Sequence, residues 1–121
     1  MYIRFMQSLC REQLCYKLEQ IIASELDTPN LTKGGNGSNY EKARYLYVYI
    51  CHIHLDAEFK LIRRTMPIYN YQKTVYQVFR RMWMRRKEQE NAYMIAYLKR
   101  VFDEYKQTAN VRTELKQMKM F

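Results

Sequence analysis

All three glycines of this chain lie between Gly34 and Gly37, and from Asn70 to Phe121 there is neither glycine nor proline. These residues are the strongest local breakers of regular structure, so the sequence can be interrupted at only a few places. Apolar residues in the long stretches recur at helical spacing. Leu14, Leu18, Ile21, Ile22 and Leu26 form a first stripe, which Asp27-Thr28-Pro29-Asn30 ends because proline cannot continue the hydrogen-bond ladder.

After the glycines, Ser38-Asn39-Tyr40-Glu41 has the S-x-x-E form of a capping box, in which serine and glutamate each satisfy a free backbone N–H. A second long helix is therefore expected from Asn39. Its middle, Tyr45 to Leu55, is rich in aromatic and β-branched residues and is compatible with a buried strand. The capping box, and Leu55, Phe59 and Ile62 at helical spacing, favour helix, and Met66-Pro67 ends it.

Val75, Val78, Phe79 and Met82 then fall at i, i+3, i+4 and i+7, a core-facing stripe that pauses at the polar run Arg85 to Asn91. It resumes in a new phase with Met94, Ile95, Leu98, Val101, Phe102 and Tyr105, and Thr108-Ala109-Asn110 predicts a break before a short helix from Val111. One uninterrupted helix from Tyr71 to Lys106 is the alternative. The expected fold is an all-α antiparallel bundle with helices near residues 4–26, 39–65, 71–88, 91–107 and 111–119. Its organisation is an N-terminal helical extension (1–32), a Gly-rich linker (33–38) and a helical domain (39–121), the last three helices forming a unit over 70–121.

A chain of 121 residues buries roughly 65% of its unfolded surface, enough for one modest core without disulfides. Its three cysteines, Cys10, Cys15 and Cys51, are too sparse for a secreted disulfide framework and indicate a reducing compartment or buried thiols. The longest uncharged run, Tyr45 to Leu55, is eleven residues, where a helix needs ~20 to cross a bilayer, so no transmembrane segment is expected. The first eleven residues carry Arg4 and Arg11 and no acid, but lack the serine-rich character of an organellar targeting sequence.

The formal charge of +9 is unevenly placed: residues 1–72 hold nine Lys/Arg against seven Asp/Glu, residues 73–121 twelve against five. Arg80, Arg81, Arg85, Arg86 and Lys87 have no acidic neighbour before Glu88, which suits carboxylates or phosphates of an anionic partner.

Signals for catalysis are weak. The Gly34 to Gly37 segment lacks the lysine and hydroxyl of a phosphate loop, and no strand precedes it. Cys51-His52-Ile53-His54 invites a metal reading with Cys10 and Cys15, but on a helix Cys51 and His54 share a face while His52 points elsewhere. The carboxylates, such as Glu88, Glu90, Asp103 and Glu104, read as solvated charges and not as a paired acid and base. No enzyme, no metal and no cofactor of its own is expected. Twelve tyrosines and eight methionines read as core and interface residues of a chain packed among other proteins.

Val78-Phe79-Arg80-Arg81-Met82-Trp83-Met84-Arg85 resembles the first helix of the LYR-motif proteins of mitochondria, and Ala92 to Lys106 resembles their second helix, with a basic residue shortly before a signature phenylalanine, here Phe102. Of the tripeptide only Arg80 is literal, and Phe102 follows it by 22 residues, about a turn less than in many members. The resemblance implies a three-helix fold that binds an acidic acyl carrier protein. Arg80, Arg81, Arg85, Arg86 and Lys87 would then be electrostatic contacts, and Val78, Phe79 and Phe102 would pack around or beside the acyl-phosphopantetheine arm of the carrier.

Two function classes follow. The first is a non-catalytic accessory or assembly subunit of a mitochondrial respiratory complex, with complex I favoured, on the matrix side or peripheral to the inner membrane and in contact with other subunits. The second is an RNA-contacting helical subunit of an organellar ribosome, in which the same arginines meet phosphates. A ribosomal protein usually carries basic residues along most of its length, whereas residues 1–72 are nearly neutral, which favours one localised acidic partner.

Overall fold

The computed structural model describes the backbone of residues 2–119 and the side chains of residues 11–107. Among the described residues every regular element is a helix: α1 (Tyr2–Leu26), α2 (Ser38–Ile53), α3 (Phe59–Thr65), α4 (Gln72–Arg85) and α5 (Gln89–Lys119). The all-α bundle expected from the stripes is thus the fold observed.

Helix α2 is the axis of the structure and touches all four other helices. Ala43, Leu46, Tyr47, Val48, Tyr49, Ile50 and Cys51 are buried in succession, so it is covered nearly all round. That placement explains the aromatic and β-branched run that resembled a strand: a central helix needs apolar residues on every side, not on one. Helix α1 lays Cys15, Leu18 and Ile22 into the same core, α4 contributes Val75, Val78 and Met82, and α5 contributes Leu98 and Phe102.

Two expected boundaries are corrected. The helix expected over 39–65 is two helices, because Asp56 takes a left-handed φ of 54° and the Ala57 N–H reaches back to the Cys51 carbonyl at 3.0 Å, closing α2 before α3 begins. The break expected at Thr108 to Asn110 does not occur, so 91–107 and 111–119 belong to the single helix α5, and the C-terminal part holds two helices instead of three. Between α4 and α5 the chain does break, as the polar run suggested. The Asn91 side-chain amide donates to the Arg85 carbonyl at 2.9 Å and caps the end of α4.

The start of α2 is set by Gly37 and not by a capping box. Gly37, at φ 112°, is the N-cap, and no side-chain cap hydrogen bond forms. Ser38 is therefore inside the first turn, one position too far along for the reciprocal bonding of a capping box. The end of α1 is a Schellman closure, with Asp27 left-handed at φ 54° and the Thr28 N–H on the Ala23 carbonyl at 2.9 Å.

The connection between α1 and α2 is held by a buried cation. Arg44 of α2 donates from Nε to the Leu31 carbonyl at 2.8 Å and from Nη2 to the carbonyls of Gly34 and Gly35 at 2.6 and 2.7 Å. The glycine-rich segment is thereby folded onto α2. The Ile68 N–H, in the connection between α3 and α4, bonds the Thr32 carbonyl at 3.0 Å, so the two connections brace each other.

Candidate functional site

Helix α4 sorts its side chains into three faces. Val75, Val78 and Met82 are buried against the bundle. Lys73, Gln77, Arg80 and Met84 fall on the opposite side, and all four are exposed. On one flank Tyr76, Phe79 and Trp83 form an aromatic face, and on the other Arg81 and Arg85 lean toward α2 and the start of α5.

The five cations expected to act together, Arg80, Arg81 and Arg85 on α4 and Arg86 and Lys87 just after it, are therefore dispersed. Arg81 donates to the Tyr45 hydroxyl at 3.3 Å. Arg85 forms an ion pair with Glu88 at 3.2 Å. Arg86 donates to the Trp83 carbonyl at 2.7 Å and lies over the indole, 3.7 Å from its centroid. Arg80 and Lys87 have no ion pair among the described residues.

What unites the region is a larger acid-free segment. From Phe59 to Lys87, which spans α3, its connection, α4 and the two residues after it, there are nine Lys/Arg (Lys60, Arg63, Arg64, Lys73, Arg80, Arg81, Arg85, Arg86 and Lys87) and no Asp or Glu. The chain has 21 Lys/Arg and twelve Asp/Glu in all, so the remainder carries twelve of each and is neutral. The entire formal charge of +9 thus resides on Phe59 to Lys87: seven of the nine cations lie on α3 and α4, and Arg86 and Lys87 follow directly after α4. Helix α4 also has no acid in its first turn to offset the positive end of its dipole. The connection is anchored rather than loose: Met66 is buried, and the Tyr69 N–H bonds the Met66 carbonyl at 3.0 Å.

The aromatic flank is built from three helices. His52 stacks on Phe59 with centroids 4.1 Å apart, Phe79 stacks on Tyr49 at 6.0 Å, and Phe59 meets Tyr76 edge-on at 5.5 Å. Outside this cluster lies an open groove of about 540 Å³ lined by Ile53, Tyr76, Phe79, Arg80 and Trp83.

Phe79 and Phe102 are not brought together. Helix α4 rests on α2 and α3, α5 rests on α1 and α2, and no ring contact joins the two phenylalanines among the described residues. Phe102 is a core residue beside Tyr105, and Lys106 lies over its ring at 5.3 Å.

The residues weighed for metal chemistry are placed as follows. Cys15 and Cys51 are buried thiols in contact across α1 and α2, with Tyr47 beside them. Burial pushes the Cys51 thiol and the Tyr47 hydroxyl well above their ordinary values, so neither is primed as a nucleophile. The His52 ring bonds the Ala57 carbonyl at 2.9 Å, and the His54 Nε2 is buried without a partner. No group of three or more His, Cys, Asp or Glu gathers to hold a metal among the described residues, and the side chain of Cys10 lies outside them.

The cationic group expected from the sequence ran only from Arg80 to Lys87 and so left out Lys60, Arg63, Arg64 and Lys73. The signal was present: the acid-free stretch begins at Phe59, right after Glu58. Among the described residues no helix is long and apolar enough to cross a membrane. Comparison with protein-family models, with curated proteins and with solved structures found no match.

Proposed function

We propose that the protein is a non-catalytic nucleic-acid-binding module that uses α3 and α4 as a helix–turn–helix on duplex DNA. The observation that carries this reading is the coincidence of the whole net charge with one short helix, one anchored connection, one following helix with an exposed polar face and the two cations directly after it. In that arrangement the second helix enters the major groove while flanking cations meet phosphates. Lys73, Gln77 and Arg80 are the groove-facing candidates: lysine and arginine suit guanine, and glutamine suits adenine. Lys60, Arg63 and Arg64 of α3 supply phosphate contacts. Helix α2 serves as the support, since it packs on both α3 and α4.

The second reading is an acidic protein partner, the acyl carrier protein implied by the LYR-like pattern of residues 75–121, within a mitochondrial respiratory complex. It is favoured by the apolar groove beside Arg80, which offers a helix both a hydrophobic seat and a cation. Fluorescence anisotropy of a labelled duplex, titrated with the protein at low salt and competed with acyl carrier protein, separates the two. The DNA reading predicts saturable duplex binding that Lys73→Glu/Arg80→Glu abolishes with the helical circular dichroism retained. Binding of the carrier with no duplex binding overturns it.

A further inference from the structure

The aromatic flank of α4 is not explained by duplex docking, which needs only the polar face. Tyr76 is 46% exposed and Trp83 39%, and both line the groove together with Ile53, Phe79 and Arg80. Part of each ring is used in packing, Tyr76 edge-on to Phe59 and Trp83 beside Phe79, but the core stripe of α4 is complete without them and their remaining surface faces the groove. Arg86 covers the indole at 3.7 Å, so Trp83 is a cation-backed ring, and Arg80 stands at the border between the groove and the polar face. An aromatic platform interleaved with arginines is the arrangement that stacks bases and holds the phosphates between them.

We propose that this groove receives an unpaired nucleobase, so that the protein binds DNA holding a bulged or melted nucleotide more tightly than fully paired DNA. The inference rests on the duplex-docking reading and adds a second subsite to it. The base stacks on Trp83 and Tyr76, beside Arg80, which the subsite shares with the docking face. Charge decides the occupant: nine cations and no acid from Phe59 to Lys87, the segment that forms one side of the groove, suit a polyanion.

Trp83 is the sole tryptophan of the chain, so its emission reports the subsite directly. The full chain is titrated with a fully paired hairpin and with the same hairpin carrying one bulged nucleotide. The bulged DNA should bind more tightly and quench Trp83, while the paired DNA binds with little quenching. Stacking contributes enough per base that Trp83→Ala should lose about 5- to 150-fold in affinity for the bulged DNA, leaving the paired hairpin unaffected. Tyr76→Ser, at a more exposed position, should show the same selectivity in weaker form and guards against a folding defect in the tryptophan variant.

Equal affinity for both hairpins, or equal loss on both in the two variants, overturns the subsite and leaves duplex docking standing. Binding of neither DNA overturns docking itself. Quenching by an acidic helical peptide, with none by the bulged hairpin, assigns the groove to a protein partner and also overturns the proposal.

Discussion

Replacing Arg44 with alanine tests how the α1–α2 connection is held. The guanidinium makes three hydrogen bonds to carbonyls of Leu31, Gly34 and Gly35, and each such bond from a charged donor is worth about 1.5–3 kcal/mol when its acceptor cannot find water. The three acceptors are not equivalent. Leu31 is fully buried, whereas Gly35 is exposed and Gly34 half-buried, so the two glycine carbonyls can recover hydration. One full bond, part of the other two and the contact with the Tyr40 ring remain, and we expect a loss of ~2–4 kcal/mol. Urea unfolding followed by far-ultraviolet circular dichroism reads this directly. Arg44→Lys should recover only part of it, because an ammonium cannot reproduce the planar fork that spans these carbonyls. A midpoint for Arg44→Ala within about 0.5 kcal/mol of the wild type, the range of an ordinary surface change, would refute the reasoning.

Phe102→Ala should destabilise the protein by ~3–5 kcal/mol, since the ring is 2% exposed and its removal leaves a cavity beside Leu98; unchanged urea stability would place it outside the core. His54 is held below its ordinary 6.5, first by burial and then by Lys99, with Asp103 opposing. The unfolded chain therefore takes up the proton more readily, so this contribution to stability is present above pH 6.5 and is lost as the pH falls below it; His54→Gln should flatten that part of a stability–pH profile. An unchanged profile in that variant would assign the acid sensitivity to other groups.

Where apolar spacing was regular, the sequence was legible. Leu18 and Ile22 on α1, Val75, Val78 and Met82 on α4, and Leu98 and Phe102 on α5 are buried as their periodicity required, whereas Phe79 and Tyr105 of the same stripes are half-buried and exposed, respectively. Boundaries set by backbone conformation were harder to read. Asp27 and Asp56 close α1 and α2 with positive φ, a role in which glycine is more usual, and Gly37 displaced Ser38 from the capping position. The anchoring role of Arg44 was invisible because its partners are carbonyls, which no residue type advertises. For the candidate site, the cations of α4 were identified but not their dispersal: which arginine folds back onto Tyr45, Glu88 or Trp83 depends on neighbours that only the tertiary arrangement brings near. Lys60, Arg63, Arg64 and Lys73 could have been found from charge alone, by asking where the acids stop.

The salt dependence of duplex affinity tests the central claim most directly. If the α3–α4 surface neutralises DNA phosphates, the logarithm of the binding constant falls linearly with the logarithm of salt concentration, and each phosphate contact removed lowers the slope by about 0.9. Lys60→Gln/Arg64→Gln should therefore reduce the magnitude of the slope by up to about 1.8, while the neutralising pair Lys99→Gln/Arg100→Gln on α5 leaves it unchanged. A wild-type slope near zero, or equal slopes for the two double variants, would contradict the assignment of α3 and α4 as the DNA-docking surface.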